Sequence, residues 1–426
     1  MPNIFSLKSI KKNAALLVQD ENIRRYIMLL FSQGMNFIAA LLNNILLAQL
    51  MTEVDFGSYK YGHNFLSFIT TIILFGLPYS ASRLLAQNSS DARERKIIGT
   101  TIKNMITLSL AFSLLILAFL IVAGFIGVEV NSILFYCIPC ITLIVLQQSQ
   151  LTMLQGTGKI KGISIQTFVP SGVMLLCLLV FFVAGVRSLN FTSVWLLFCL
   201  GYLIAQVITL QITKPIFRGR DPDIQCELVQ EYRINGRNIY LGSLLGVAST
   251  HCVNFILGSI SEMSEYAVYA LAWSLAAVLQ MIPSAMGTVM FRKNAAAGRI
   301  PYKVIIFTGF FSGMLYFLFV GMLHIMIPIL FPATYLDAIW MGAILGFAMI
   351  INGIGDFFNR FISANGYGNY IKNGALMTGI INIFGSVVFL KYWKIDGVIA
   401  VRVLASTAYL TMMIFYYIRV LKEEGR

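Results

Sequence analysis

Twelve apolar runs, each about as long as a bilayer is thick, leave this chain few ways to fold. They lie at about 26–49, 59–84, 100–126, 132–154, 163–186, 191–213, 238–259, 265–290, 303–330, 335–361, 371–392 and 396–419. Crossing ~30 Å of hydrocarbon takes ~20 apolar residues in a helix. Lipid offers an unpaired backbone N–H or C=O no partner, so a span is a helix or part of a closed barrel. Runs this long and uninterrupted are helical. With 58% hydrophobic and 12% charged residues, the expected fold class is an all-α polytopic membrane protein.

The runs divide six and six, and short motifs recur at one spacing. Leu154-Gln155-Gly156-Thr157-Gly158-Lys159 reappears 210 positions later as Ala364-Asn365-Gly366-Tyr367-Gly368-Asn369. The same offset of 210 pairs Asp55-Phe56-Gly57-Ser58-Tyr59 with Glu265-Tyr266-Ala267-Val268-Tyr269, and Asn44 with Asn254. Leu77-Pro78-Tyr79-Ser80-Ala81 finds its partner in Ile282-Pro283-Ser284-Ala285 at an offset of 205, which requires an insertion or deletion in that hairpin. The expected organisation is an N-terminal six-helix bundle (1–213), a linker (214–237) and a C-terminal six-helix bundle (238–426). An even number of spans per half starts both halves on the same side, so the repeats are parallel, related by an axis along the membrane normal, and enclose a central cavity. Superposition of the halves is expected to bring Gly156 onto Gly366 and Asn44 onto Asn254.

A net charge of +13 would suggest nucleic acid in a soluble protein. Here its distribution gives another answer. On alternate sides of the twelve runs, one side collects 26 of the 31 Lys and Arg, while the other holds only Lys60, Arg187, Lys391 and Lys394, with Arg402 inside a run. By the positive-inside rule both termini are expected in the cytoplasm, and no nucleic acid is called for. The first twenty-odd residues lack a short apolar core with a cleavage site, so no removable signal peptide is expected; residues 1–23 read as a basic amphipathic helix on the membrane surface or as a tail. Five of the six Cys lie in apolar runs. Cys137-Ile138-Pro139-Cys140 therefore reads as packing rather than as a redox or metal pair.

Polar residues within the runs are the candidates for function, because each must find a partner or water. The first run places Gln33, Asn36, Asn43 and Asn44 on roughly one face, either as glue to a neighbouring helix or as the lining of a wet cavity. Ser109 and Ser113 are the hydroxyls near the middle of a third run that otherwise faces lipid. Gly76 and Pro78 predict a kink in the second run. The seventh holds His251 and Asn254. In the tenth, Asn352, Asp356 and Arg360 stack at i, i+4 and i+8, and Asp356 is expected to pair with Arg360. Arg402, about two turns inside the last run, is expected to snorkel outward. Residues 85–99 and 214–237 read as solvated linkers. There is no Walker loop, zinc motif or large acidic outer loop, so the chain reads as a transporter without a cofactor.

The run "LAQLMTEVDFGSYKY…LFGLPYSASRLLAQ" resembles the opening hairpin of polysaccharide-biosynthesis flippases, the O-antigen and capsule unit translocases of the multidrug/oligosaccharidyl-lipid/polysaccharide superfamily. The ending "LQGTGK" is similar to that family's fourth span, although Met51–Asp55 lack the usual Gly of the turn. The resemblance implies a non-enzymatic flippase of the bacterial inner membrane. It would carry an undecaprenyl-pyrophosphate-linked oligosaccharide, an O-antigen or capsule repeat unit, from the cytoplasmic to the periplasmic leaflet by alternating access. Membrane lipid surrounds such a protein; proton or sodium coupling and the polysaccharide polymerase machinery are open as further partners. Intramembrane cations outnumber the single buried acid, which itself favours an anionic cargo. Arg83 and Arg402 lead as its ligands, with Arg24, Arg25 and Arg292 at the cytoplasmic mouth and the amides of the first run, with Asn254, for sugar hydroxyls. His251, Asp356 and Arg360 are candidates for coupling or gating. The alternatives are a drug or cation antiporter of the same architecture, which would need buried carboxylates, and a membrane polysaccharide polymerase or glycosyltransferase, which would need a long outer loop.

Overall fold

The computed structural model describes residues 21–423 apart from short stretches at 88–89, 129, 187, 218–220, 238–239, 242–243, 298 and 366. Residues 1–23, expected as a surface helix or a tail, lie almost wholly outside these residues, and so does Gly366. Fourteen α-helices are described: α1 (Glu21–Leu50), α2 (Glu53–Ile73), α3 (Leu77–Ala86), α4 (Asp91–Phe125), α5 (Ile133–Thr157), α6 (Ile160–Val183), α7 (Phe191–Thr213), α8 (Pro222–Glu231), α9 (Ser249–Ile260), α10 (Met263–Ala297), α11 (Tyr302–Leu330), α12 (Ala338–Ala364), α13 (Gly368–Ile380) and α14 (Ser386–Glu423). No strand occurs among the described residues. Among the described residues, seven helical stretches are long and apolar enough to cross a membrane, or eight if the bent pair α2–α3 is one span. The protein is a multi-pass membrane protein. The last of the seven stretches runs from Gly368 to Glu423, but Trp393 (φ −125°) and Lys394 (φ 47°) break it between the two runs expected there.

Helix boundaries follow local chemistry. Thr52 caps α2 by accepting from the Asp55 N–H at 3.2 Å, and its hydroxyl donates to Asp55 Oδ2 at 2.7 Å. The other carboxylate oxygen, Asp55 Oδ1, accepts from the Phe191 N–H at 3.0 Å and ties α2 to the start of α7. Ser90 caps α4, so part of the segment expected as a solvated linker is helix from Asp91 onward. Gly158 closes α5 in the left-handed conformation (φ 65°). The kink expected at Gly76 and Pro78 is a break of 65° between α2 and α3. Phe75 and Gly76 both have positive φ (45° and 79°) there, and Pro78 sits in the first turn of α3, where its missing N–H costs nothing.

Two boundaries keep the repeat spacing: α1 ends at Leu50 and α9 at Ile260, α2 begins at Glu53 and α10 at Met263. These turns lie close together. A Cβ at Gly57 would meet the Met263 carbonyl oxygen within bonding range and Ala267 Cβ at 3.4 Å, so α2 and α10 approach backbone to backbone. Ala267 is the residue that the offset pairs with Gly57. Around this contact, Tyr61 OH and Ser259 Oγ share a hydrogen bond of 3.0 Å, Asn64 Nδ2 donates to Tyr266 OH at 2.7 Å, and the Phe56 and Tyr335 rings meet edge to face at 5.8 Å. We call this end of the molecule the turn end and its opposite the linker end. Elsewhere α1, α6 and α7 pack side by side, as do α3, α4 and α5, while α10, α12 and α14 form the other principal stack. α11 presents Phe310, Phe317, Ile325 and Ile329 outward, as a helix facing lipid does. In α4, Ser109 and Ser113 turn inward, and Ser109 donates to the Ile106 carbonyl and shares a bond with Thr142.

The linker is more than a tether. Its helix α8 buries Ile224 and Leu228 with Ala81, Leu84, Ile97 and Ile98 of α3 and α4. Around that contact Arg83 pairs with Glu231 (3.2 Å), Arg93 with Glu227 (2.7 Å) and Lys96 with Asp221 (3.0 Å). Each such pair is half-exposed and weak singly. The hydrogen bond from Lys96 holds the Asp221 carboxyl below its ordinary range. A depressed carboxyl contributes docking strength above its ordinary range and loses it as pH falls through the lowered value. Acidification below the ordinary carboxylate range, or Glu227→Arg, is therefore expected to release α8, and Arg93→Glu with Glu227→Arg to restore it. Protease cleavage within 214–221, followed against pH and salt, checks this.

Candidate functional site

Asn43 and Asn44 end the polar face of α1, and the structure divides its members. Asn36 Oδ1 accepts from Ser171 Oγ at 2.8 Å and Asn43 Nδ2 donates to the Ser171 carbonyl at 2.9 Å, so these two join α1 to α6. Asn44 Oδ1 instead accepts from Lys60 Nζ at 2.7 Å. The Gln33 side chain lies outside what is described.

Lys60 is the residue that sequence reasoning misplaced. The second run was read as starting at residue 59, which put Lys60 at the membrane surface. The helix starts at Glu53, and seven residues at 1.5 Å rise bring Lys60 about 10 Å in from that end. Its ammonium bonds Asn44 and, at 3.1 Å, Ser274 Oγ of α10, and it lies 5.3 Å from the centre of the Phe56 ring. All three are neutral, and among the described residues Lys60 forms no ion pair. An ammonium withdrawn from water is costly unless a counter-charge faces it.

Lys60 lines a cavity of about 400 Å³. Its other walls are Asn43, Asn44, Tyr59, His63, Ser171 and Tyr202 on the polar side, with Phe37, Leu41, Leu47, Pro170, Met174, Phe198, Leu275 and Val278 making most of the surface apolar. Helices α1, α2, α6 and α7 supply most of the wall and α10 closes it.

A second cavity, of about 430 Å³, lies among α9, α10, α12, α13 and α14 and is lined by more polar side chains than the first. Arg402 is 4% exposed. It does not snorkel, because inward partners satisfy it better than the surface would. Its Nη2 donates to Asn254 Oδ1 at 2.8 Å and to the Thr250 carbonyl at 3.1 Å, and its guanidinium stacks 4.6 Å from the centre of the Trp273 ring. Nε has no protein partner. Asn254 also accepts from Tyr269 OH at 3.2 Å. Across the cavity, Asp356 accepts from Tyr409 OH at 2.9 Å and from Gln280 Nε2 at 3.2 Å, and Gln280 reaches Asn352 at 2.9 Å. The expected ion pair between Asp356 and Arg360 does not form: Arg360 lies on the exposed side of α12, and neutral donors hold the carboxylate. His251 lines the same cavity with Nδ1 unbonded.

Arg83 lines neither cavity, since it sits half-exposed at the linker end against Glu231. The side chains of Arg24, Arg25 and Arg292 lie outside what is described. Trp273, Gln280, Asn359 and Tyr409 line the second cavity and Tyr59, Tyr202 and Ser274 the first; none was singled out from sequence as a site residue. No group of three or more metal-ligating side chains occurs among the described residues.

The chain shares its fold with solved transporters at low identity. The inward closed conformation of the lipid II flippase MurJ is 14% identical, with a TM-score of 0.68 over 92% of this chain and 87% of that one. The inward-facing conformation of a multidrug resistance MATE family transporter of the MOP superfamily is 13% identical, with a TM-score of 0.64 over 91% and 96%. A MOP superfamily transporter from Pyrococcus furiosus, titled for the reversed polarity of its binding pocket, is 12% identical with a TM-score of 0.54 over 93% and 95%. Comparison with the curated proteins finds no match. The family described as polysaccharide biosynthesis protein matches residues 23–291, most of the chain including all of α2 and the first cavity, and the protein belongs to that family.

Proposed function

We propose that the protein is a flippase for an isoprenoid-diphosphate-linked oligosaccharide, an O-antigen or capsule repeat unit, and that Lys60 receives the diphosphate. The observation that carries this is an intramembrane ammonium facing a cavity with only neutral acceptors around it. A diphosphate entering low dielectric needs fixed positive charge to replace its hydration, and Lys is a strong point-charge ligand for phosphate. The apolar remainder of the first cavity suits the start of an isoprenoid chain. The amides, hydroxyls and indole of the second cavity suit sugar hydroxyls, with Arg402 for an anionic group. Twelve spans with cytoplasmic termini, two six-helix bundles joined by the linker and rocking around the central cavities complete the reading; the linker end is then cytoplasmic and the turn end periplasmic. His251 and Asp356 remain the groups for proton or sodium coupling. A drug antiporter of the same fold fits less well, since the cavity nearest both stacks presents a cation and no carboxylate.

Lys60→Met is expected to reduce surface polysaccharide at least about tenfold at equal protein level, because a charged hydrogen bond to phosphate contributes ~1.5–3 kcal/mol; Lys60→Arg should keep much of the activity. Full export by the methionine variant would remove Lys60 from the mechanism.

The Asp356 cluster gives a separate expectation. Asp356→Ala leaves the Tyr409 hydroxyl without its acceptor and Gln280 with Asn352 alone, at a cost of ~1–3 kcal/mol, and should lower the unfolding temperature and abolish ion-dependent export. Arg360→Gln should behave as wild type in both. Thermal unfolding and export at varied ion gradient measure the two effects, and equal loss in both variants would restore the ion pair that the structure lacks.

A further inference from the structure

Lys60 does more than wait for cargo, because one of its two hydrogen bonds crosses from α2 to α10. Asn44, which takes one N–H, belongs to α1 beside α2. Ser274, which takes the other, belongs to α10. The Ser274 hydroxyl proton is committed to its own helix, donated to the Ala270 carbonyl at 2.7 Å, so the oxygen facing Lys60 is held as an acceptor. Lys60 and Ser274 sit at the cavity edge of the seam that Gly57 makes with Met263 and that the Tyr61–Ser259 and Asn64–Tyr266 bonds extend. The ammonium thus closes the cavity and ties the two helices with the same contact.

We infer that this contact is a cargo-released latch: a diphosphate in the first cavity takes the Lys60 ammonium from Ser274 and so frees the turn-end seam to open. The inference rests on the reading of Lys60 as the phosphate ligand. Charged acceptors form hydrogen bonds roughly twice as strong as neutral ones. The ammonium therefore follows the phosphate, and the hydroxyl, its proton still on Ala270, has no second donor to hold α2. An empty transporter stays closed at the turn end, and a loaded one is released there. Opening would thus be conditional on an anionic headgroup rather than on the lipid chain alone.

Hydrogen–deuterium exchange of the full chain in lipid nanodiscs, read at residues 53–64 and 263–274, tests this with geranylgeranyl diphosphate as the probe and geranylgeraniol as the uncharged control. The diphosphate should speed exchange in both segments several-fold and the alcohol should leave it unchanged. Ser274→Ala should show the faster exchange without any probe, and should bind the diphosphate about two- to tenfold more tightly, the worth of one competing hydrogen bond. Lys60→Met should exchange fast, bind no diphosphate and not respond to it, whereas Lys60→Arg should bind and respond, which shows that the site tolerates substitution and still folds. If Ser274→Ala exchanges like wild type, or if bound diphosphate leaves the seam unchanged in wild type, the latch is refuted even though Lys60→Met fails to bind. If Lys60→Met binds the diphosphate like wild type, the phosphate reading itself fails and the cargo-released latch falls with it, whatever Ser274→Ala does.

Discussion

The approach of α2 to α10 sets the geometry at the centre of this protein. Backbones meet only where side chains permit, and Gly57 against the Met263 carbonyl leaves no room for a Cβ. With the two helices at that distance, Lys60 reaches Ser274 and Asn64 reaches Tyr266, while Tyr61 reaches Ser259 near the end of α9. In lipid no hydrophobic force drives helices together, so close packing and hydrogen bonds must do it. The seam uses both. Its contact residues include Gly57 and Ala267, which lie 210 positions apart in the sequence.

Lys60 and Arg402 are held very differently by their surroundings. Lys60 has an amide, a hydroxyl and a ring beside it, all neutral. Arg402 is nearly saturated, with Asn254, the Thr250 carbonyl and Trp273 around it. A guanidinium so held contributes to packing at the junction of α9 and α14 as well as to the cavity wall. An ammonium on a flexible stem, by contrast, exchanges partners at little cost. The fixed charge suits orientation of a headgroup, and the movable one suits a step that changes during transport.

Much of the fold was legible because lipid makes the rules simple: long apolar runs are helices, and the described residues of the expected runs lie largely in helices, seven or eight of them long and apolar enough to cross a membrane. The break at Gly76 was legible too, since glycine and proline announce it. The site was legible only where chemistry was rare. Asp356, His251 and Arg402 stood out as charges in apolar runs, and all three line the second cavity. Their partners did not follow, because i, i+4 spacing places Asp356 and Arg360 on one helix without saying that the neighbouring α10 and α14 offer Gln280 and Tyr409 closer to hand. Arg83 misled for the converse reason: a cation near a kink looked like part of a cavity, while the acid that claims it lies in the linker, 148 positions away.

Lys60 shows the deeper limit. Hydropathy places the membrane boundary where apolar residues begin, and the first turns of α2, Glu53-Val54-Asp55-Phe56-Gly57-Ser58-Tyr59, are polar enough to look external. They are helical because Thr52 and Asp55 cap them and because Asp55 is anchored to α7. Polar residues at this level do not face lipid: Phe56, Gly57, Ser58 and Tyr59 are all buried, with Asp55 bonded to the start of α7, Tyr59 packed on α6 and α7, and Gly57 against α10. A window average counts Lys60 as surface because its neighbours are polar. Its neighbours are polar because this end of α2 is packed between α7 on one side and α10 on the other. The feature that concealed the residue from sequence reasoning is therefore the same one that gives it a place between the helices, within reach of both.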